Sequence, residues 1–447
     1  MLFKRKIYEE MIRWKESLKI KRKALLIKGL RQVGKTTIIN EFTKEFYDEA
    51  IYLNFLDNQE FKEIFSSSLI ANEIINKLKT FFTDKKFIPN KTVFVFDEVQ
   101  ECPNARYSVK QLMENSSFDV IMSGSLLGLR GYNKFKNKIP TGFETILYMY
   151  PMDFEEYLRA KKVPIESINY IKSCFANLTK VDTFLNNLFM NYFKEYLLVG
   201  GMPEAVSTYL ESKDYRSSYS VLKNILEQYK DDFGKHLDEN DNSVINKNLF
   251  GNIMAVYSSI PAQLSKENKK FTYNMLGKYA SANKYLDSIM WLEEFGLIKL
   301  CYNLSALSLP LEGYKRSDCF KVFVTDTGLF MAMLGLESYQ KIISNELTTY
   351  KGAIFENIVA DALIKNNKNL YYFSKNGGLE IDFITLIDGE ICALEVKSND
   401  GRAKSLKEVL TNKNKYDVKK NYKLINGNVY NGELIKSIPL YMAFLIK

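Results

Sequence analysis

The sequence predicts an α/β chain with a parallel-sheet core at its amino-terminal end, a helical segment behind it and a mixed carboxyl-terminal part. Three observations predict it. Over roughly the first 150 residues short apolar runs alternate with amphipathic stretches, and such alternation implies a parallel sheet covered on both faces. From about 152 to 240 the amphipathic stretches stand alone. Over the last hundred or so residues strand-like runs return behind a single helix.

ALLIK (24–28) is a short buried strand running into a glycine turn, and TTIINEFTKEF behind it carries apolar residues at helical spacing. YLNFLD (52–57), TVFVFDE (92–98) and FDVIMSG (118–124) are further strands. DFEEYLRA and SVLKNILEQYKDDFGKHL read as helices, broken by the GGMPEA turn at Gly200–Ala205. Helices including SANKYLDSIMWLEEFGLI precede IKLCYN and CFKVFVTD, two strands of a hairpin, so this stretch reads as a winged-helix segment. After the helix GAIFENIVADALIKN come the strands NLYYFSK, LEIDFITLI and EICALEVKS, with Asp388–Gly389 as the turn between the last two.

A length of 447 residues is too great for one ordinary core and suggests roughly three or four units. The boundaries read as a core over 1–160, a helical lid over 161–244, a winged-helix-like segment over 245–345 and an α/β tail over 346–447. At 46% hydrophobic and 26% charged residues the composition is that of a folded chain rather than a disordered one. No apolar run approaches the roughly 18 residues that span a bilayer, and the start lacks the apolar centre of a signal peptide. A cytoplasmic protein without a membrane partner is expected. The five cysteines are scattered and never form a CxxC pair, which points to buried free thiols. A formal charge of +9 is compatible with nucleic acid but modest for this length. The single histidine, His236, excludes HExxH zinc proteases and most histidine general-base schemes. Hydrolysis by this chain must rest on carboxylates, lysines and metal-bound water.

Gly29-Leu30-Arg31-Gln32-Val33-Gly34-Lys35-Thr36 fits GxxxxGK[ST] and lies between a strand and a helix. Gly29 and Gly34 let backbone N–H groups converge on phosphate oxygens, with the positive end of the helix behind them. Lys35 is expected to reach the β- and γ-phosphates of ATP and Thr36 to hold Mg²⁺, with Arg31, Gln32, Val33 and Thr37 completing the nucleotide contacts. Asp97, at the end of an apolar strand, is the second Mg²⁺-linked group, and Glu98 beside it is placed to polarise the attacking water. Ser123 ends the next strand and is either a sensor of the γ-phosphate or part of a plain turn. Arg31, Arg106 and Arg130 are available as a transition-state arginine, and a neighbouring subunit is an alternative source.

A second constellation lies in the tail. Glu395 and Lys397 share one face of a strand, Asp382 and Glu380 share a face of its neighbour, and Glu356 comes from the helix upstream. The order helix acid, strand aspartate, E-x-K is that of the PD-(D/E)xK nuclease superfamily. It predicts Glu356, Asp382 and Glu395 as metal ligands and Lys397 as a catalytic lysine. A solvated strand edge is the competing reading.

Taken together, GLRQVGKTT, VFDEVQECPNA, SGSLLG, YPMDFEEYL, YLLVGGMPEAV, FKVFVTDTGL, KGAIFENIVADAL, LEIDF and LEVKS resemble the bacterial and archaeal predicted AAA-type ATPases with a conserved carboxyl-terminal domain of unassigned function. The resemblance implies a signal-transduction-like P-loop ATPase core, a helical lid, a winged-helix segment and a nuclease-like tail. One departure is Phe143–Glu144, where a basic residue is expected shortly after Gly142. Two functions follow as expectations: an ATP-hydrolysing machine acting on DNA through a metal-dependent tail, or a slow nucleotide-controlled switch with a non-cleaving tail and a protein partner or second copy to act on.

Overall fold

A computed structural model describes residues 3–125, 142–235, 244–266, 268–344, 346, 350–375, 378–397 and 401–447. The chain divides into two compact units, Leu2–Tyr150 with Glu294–Gly296, and Pro151–Glu293 with Leu297–Lys447.

The amino-terminal unit is built on five parallel strands: β1 (Ala24–Lys28), β2 (Glu49–Asn54), β3 (Thr92–Asp97), β4 (Asp119–Gly124) and β5 (Glu144–Tyr148). Their order is β2-β3-β4-β1-β5. The central strands β1, β3 and β4 are buried at every position, because helices cover both faces of a parallel sheet. Phe55, Phe65, Phe94, Phe96 and Phe118 pack in the core on one side of it. The edge strand β5 has no buried position, and its apolar run from Ile146 is not flanked on both sides by turn residues that would mark it as a strand. β4 stands between β1 and β3, so the turn after β1 and the acidic end of β3 flank the end of β4.

In the carboxyl-terminal unit the helices Phe154–Ala160, Ile165–Asn177, Thr183–Val199, Pro203–Ser212 and Tyr215–Lys235 follow one another, in keeping with the helical reading. Asp153 and Glu156 cap the first of them reciprocally. IKLCYN and CFKVFVTD form an antiparallel pair, β6 (Ile298–Leu304) and β7 (Lys315–Val324). This pair does not stand as a separate wing. β6 runs parallel to β8 (Tyr371–Lys375), which joins the hairpin to the tail in one sheet. The sheet continues through β9 (Leu379–Ile387), β10 (Glu390–Lys397), β11 (Lys420–Ile425), the two-residue β12 (Tyr430–Asn431) and β13 (Lys436–Pro439), in the order β12-β13-β11-β10-β9-β8-β6-β7. Asp388 and Gly389 both have positive φ, 51° and 77°, as a tight two-residue hairpin turn demands.

The helix Lys351–Lys365 packs on this sheet, and Asn357 fixes it to β7 by exchanging hydrogen bonds with the Val324 backbone, 2.9 Å from its N–H and 3.1 Å to its carbonyl. At the other end of the helix Lys365 is buried among Asp361 (2.9 Å), Asp326 (3.5 Å) and the Met152 carbonyl (3.1 Å). Asp326 also accepts from the Gly201 N–H at 2.7 Å, so the GGMPEA turn and the TDTGL segment meet on one buried ion pair. All five cysteines are free and buried, as expected. No helix among the described residues is long and apolar enough to cross a membrane.

Candidate functional site

The phosphate-loop pattern folds as the strand–turn–helix it predicts. Gly29 carries no side chain because the Met149 carbonyl oxygen lies 2.3 Å from where its Cβ would stand. Gly34 has φ +93°, a left-handed conformation that suits glycine, and leads directly into the helix Lys35–Phe46. No side chain caps that helix, so its first N–H groups remain for an anion. Gln32, at φ 65°, and Thr37, in the first helical turn, are exposed, Arg31 is half-buried and Val33 is buried. The Lys35 ammonium is buried and donates to the carbonyls of Leu30 (2.8 Å) and Gly29 (3.1 Å). Burial pulls its pKa below the usual lysine value, against the nearby negative charges of Glu98 and Asp97.

The structure joins Thr36, Asp97 and Ser123 in one hydrogen-bonded group. The Thr36 hydroxyl donates to Asp97 Oδ2 at 3.1 Å, and the Ser123 hydroxyl donates to Asp97 Oδ1. Glu98 follows in a left-handed conformation, φ 52° and ψ 48°, which turns the chain sharply after the strand. Its backbone N–H reaches Asp97 Oδ1 at 3.1 Å and its carboxylate accepts from the Gln100 amide. The Gln100 carbonyl oxygen accepts in turn from the Ser125 N–H at 3.3 Å. The acidic pair is thereby tied to the end of β4. A hydroxyl and a carboxylate at this separation are hard oxygen donors of the kind Mg²⁺ takes beside a bound triphosphate.

Arg106, read from sequence as available to the transition state, is already committed. Its guanidinium grips Glu144 through two bonds of 2.8 Å, with the side chains only 8% and 5% exposed. The unexpected acid after Gly142 is thus the partner of a structural arginine. Arg130 and His236 lie outside the described residues.

In the tail, the register that pairs Phe383 with Leu394 carries Asp382 alongside Glu395 and Val396, and the Val396 N–H donates to Asp382 Oδ2 at 2.8 Å. Burial, then the charges of Glu356 and Glu395, hold the Asp382 carboxyl well above its ordinary range, and burial raises Glu395 as well. Glu356, Asp382 and Glu395 are therefore neighbours. Each is also engaged by the protein itself. Glu356 pairs with Lys269 at 2.8 Å and with Lys321 at 3.7 Å, Lys321 pairs with Glu380 at 2.7 Å, and Glu395 pairs with Lys397 at 2.6 Å. Lys321 is buried on β7; burial works against its charge, but Glu356, Glu380 and Asp382 outweigh it and hold its pKa above the usual lysine value. One oxygen each of Glu356 and Glu395 is buried without a hydrogen-bond donor. Among the described residues no group of three or more histidine, cysteine or acidic side chains is arranged to hold a metal ion.

Residues 21–158 match the family described as an AAA domain, a span that contains the glycine loop, Asp97, Glu98 and Ser123. This segment is similar to AAA domains. Residues 190–340 and 351–441 match two families described as domains of unknown function, DUF8612 and DUF4143. No curated protein matches the chain. Among solved structures it is similar to the Walker-type ATPase paby2304 of Pyrococcus abyssi, at 13% identity and a TM-score of 0.42 over 74% of this chain and 96% of that one. It is also similar to the ORC2 protein of Aeropyrum pernix in its ADPNP–ADP complexes, at 12% identity and a TM-score of 0.34 over 76% and 92%. A third is AMPPCP-bound DnaA from Aquifex aeolicus, at 11% identity and 0.29 over 66% and 90%.

Sequence reasoning missed three side chains of the AAA domain's site. The Tyr52 hydroxyl donates to Asp97 Oδ2, a contact set by β2 lying beside β3 with Asn54 opposite Asp97. Arg5 is buried and donates to the carbonyls of Val33 (2.9 Å) and Tyr150 (2.6 Å), bracing the phosphate loop from the amino-terminal end. Gln100 holds Glu98. Only Gln100 carried a signal, its place two residues after the acidic pair. The other two come from segments whose spatial neighbours the sequence does not give.

Proposed function

We propose that the chain binds ATP at residues 29–37 and hydrolyses it, with Lys35 on the β- and γ-phosphates and Glu98 orienting the attacking water. The observation that carries this reading is the bond of 3.1 Å between the Thr36 hydroxyl and Asp97, which joins the helix end that receives phosphate to the strand end that supplies the acid. Thr36 and Asp97 would hold Mg²⁺, whose part is to neutralise charge on the transferred phosphoryl group. Ser123 and Gln100 connect Asp97 and Glu98 to β4, so a change at the γ-phosphate has a route to the base. The test is ATP turnover by wild type and Lys35→Ala, with and without DNA. Turnover that survives the substitution sinks the reading. Turnover lost with Lys35 and stimulated by DNA favours a DNA-directed machine. Turnover indifferent to DNA, with a nucleotide-dependent change of partner or oligomeric state, favours a switch.

A second reading makes the tail a metal-dependent nuclease, with Glu356, Asp382 and Glu395 as ligands and Lys397 acting on the reacting phosphate. The two buried carboxylate oxygens without donors favour it. Nicking of plasmid DNA in Mg²⁺ or Mn²⁺ by wild type, absent in Asp382→Ala, is its expected outcome; equal behaviour of the two removes cleavage.

A further inference from the structure

The two readings of the tail differ in what balances its carboxylates. We propose that Lys321 is the resident counter-cation of this cluster, standing in for a divalent ion, and that the tail takes up no metal. The inference concerns the tail alone and is independent of ATP hydrolysis at the other unit.

Lys321 lies in the middle of CFKVFV, a strand buried from Cys319 to Val324. Its side chain is 1% exposed. Its ammonium sits 2.7 Å from Glu380, 3.7 Å from Glu356 and 4.9 Å from the centre of the Tyr372 ring, a cation–π contact. It has no easy way out. Backbone pairing sets Lys321 opposite Cys301, and Asn357 holds the end of the same strand to the helix that carries Glu356. Withdrawing the ammonium from these acids would leave a buried charge without a partner, which is costly.

Counting charges gives the same answer. Glu356, Glu380, Asp382 and Glu395 bring four carboxylates, while Lys269, Lys321 and Lys397 bring three ammonium groups within 4.0 Å of one or another of them. With every carboxyl ionised the residual charge is one negative, and the raised Asp382 and Glu395 carboxyls make it smaller still, so a divalent ion would leave a largely buried site positive. Each proposed ligand also already has a partner on one of its oxygens: Lys269 on Glu356, the Val396 N–H on Asp382, and Lys397 on Glu395. The Glu356 oxygen that lacks a hydrogen-bond donor is the one facing Lys321, so charge reaches it without hydrogen-bond geometry.

The test is Mn²⁺ binding by the full chain, read from loss of the free-ion electron paramagnetic resonance signal, in an Asp97→Asn background that removes the nucleotide-site carboxylate. The parent and its Glu395→Gln derivative are expected to bind the same amount. Lys321→Met is expected to gain one Mn²⁺ per chain, bound roughly tenfold or more tighter than in the parent once the competing charge is gone, and to lose it again with Glu395→Gln. Should Lys321→Met fail to fold, millimolar Mn²⁺ must restore its melting transition. Mn²⁺ bound by the parent and abolished by Glu395→Gln would overturn the assignment. So would a folded Lys321→Met with no gain, or an unfolded one that Mn²⁺ does not rescue.

Discussion

Replacing Arg106 by methionine separates a structural arginine from a catalytic one. Its guanidinium makes two bonds of 2.8 Å to Glu144, and both side chains are more than nine-tenths buried, so little solvent screening applies. Removing the cation leaves the Glu144 carboxylate on β5 without its counter-charge. Breaking a buried pair from one side costs about 3–5 kcal/mol. At roughly 2–4 °C per kcal/mol for a unit of this size, the melting temperature should fall by about 10 °C. The double variant Arg106→Met/Glu144→Leu, which removes both charges and keeps the bulk, should recover most of the loss, since apolar replacement of a whole buried pair is often close to neutral. Thermal melts of the wild type, both single variants and the double variant give the coupling directly. ATP turnover, measured well below every midpoint, should stay within a small factor of wild type. A transition-state arginine behaves differently, contributing about 10³–10⁵ to turnover. An Arg106→Met protein that melts like wild type yet loses turnover on that scale would refute the structural assignment.

Glu98→Gln should lower ATP turnover by about 10²–10⁴ while leaving the affinity for a fluorescent ATP analogue unchanged, because the amide keeps the shape and loses the base; equal losses of affinity and turnover would contradict this role. In the other unit, burial pushes the Asp361 carboxyl up to about 7 despite Lys365, because Asp326 adds a second negative charge against one ammonium. The folded state then holds a proton that the unfolded state releases near pH 4, so stability should fall as pH rises from about 4 to 7 and level off above that. Asp361→Asn should flatten the slope in urea titrations across this range.

How much of this was legible in sequence depended on whether an interaction was local. The phosphate loop needs one strand, one turn and one helix in succession, and all three are readable from a single window around Gly29–Thr36. Asp97 was legible because it ends a run of buried residues, which marks a central strand. Tyr52 was not. It stands on a strand the pattern does show, but its contact with Asp97 comes from β2 being the neighbour of β3, and strand order is a tertiary fact. β5 escaped for another reason: ETILY is an edge strand with no buried position, so burial does not set it apart. In the tail the motif order pointed to Glu356, Asp382 and Glu395, yet Lys321 gave no warning. One lysine in an apolar strand ordinarily marks a solvent face. Here the helix Lys351–Lys365 covers that strand and turns its lysine into an interior charge.

The two acid groups of the chain are neutralised in different chemical currencies, and the difference predicts what each accepts. Asp97 is held by neutral hydroxyls, from Thr36, Tyr52 and Ser123. Such donors position a carboxylate without placing a cation on it, and a hydroxyl that gives up its bond can turn its lone pairs to a cation instead. Divalent metal entering there meets a carboxylate held by donors able to change roles. Glu356 and Glu395 are held by ammonium groups. An ammonium has no lone pair to offer, cancels the charge that would attract the metal and, when buried, cannot withdraw without losing its own partner. Acidic residues in a motif-like order therefore do not by themselves define a metal site. On the proposed reading their partners decide it: hydroxyls around Asp97 can turn to Mg²⁺, and ammonium groups in the tail stand where a metal would.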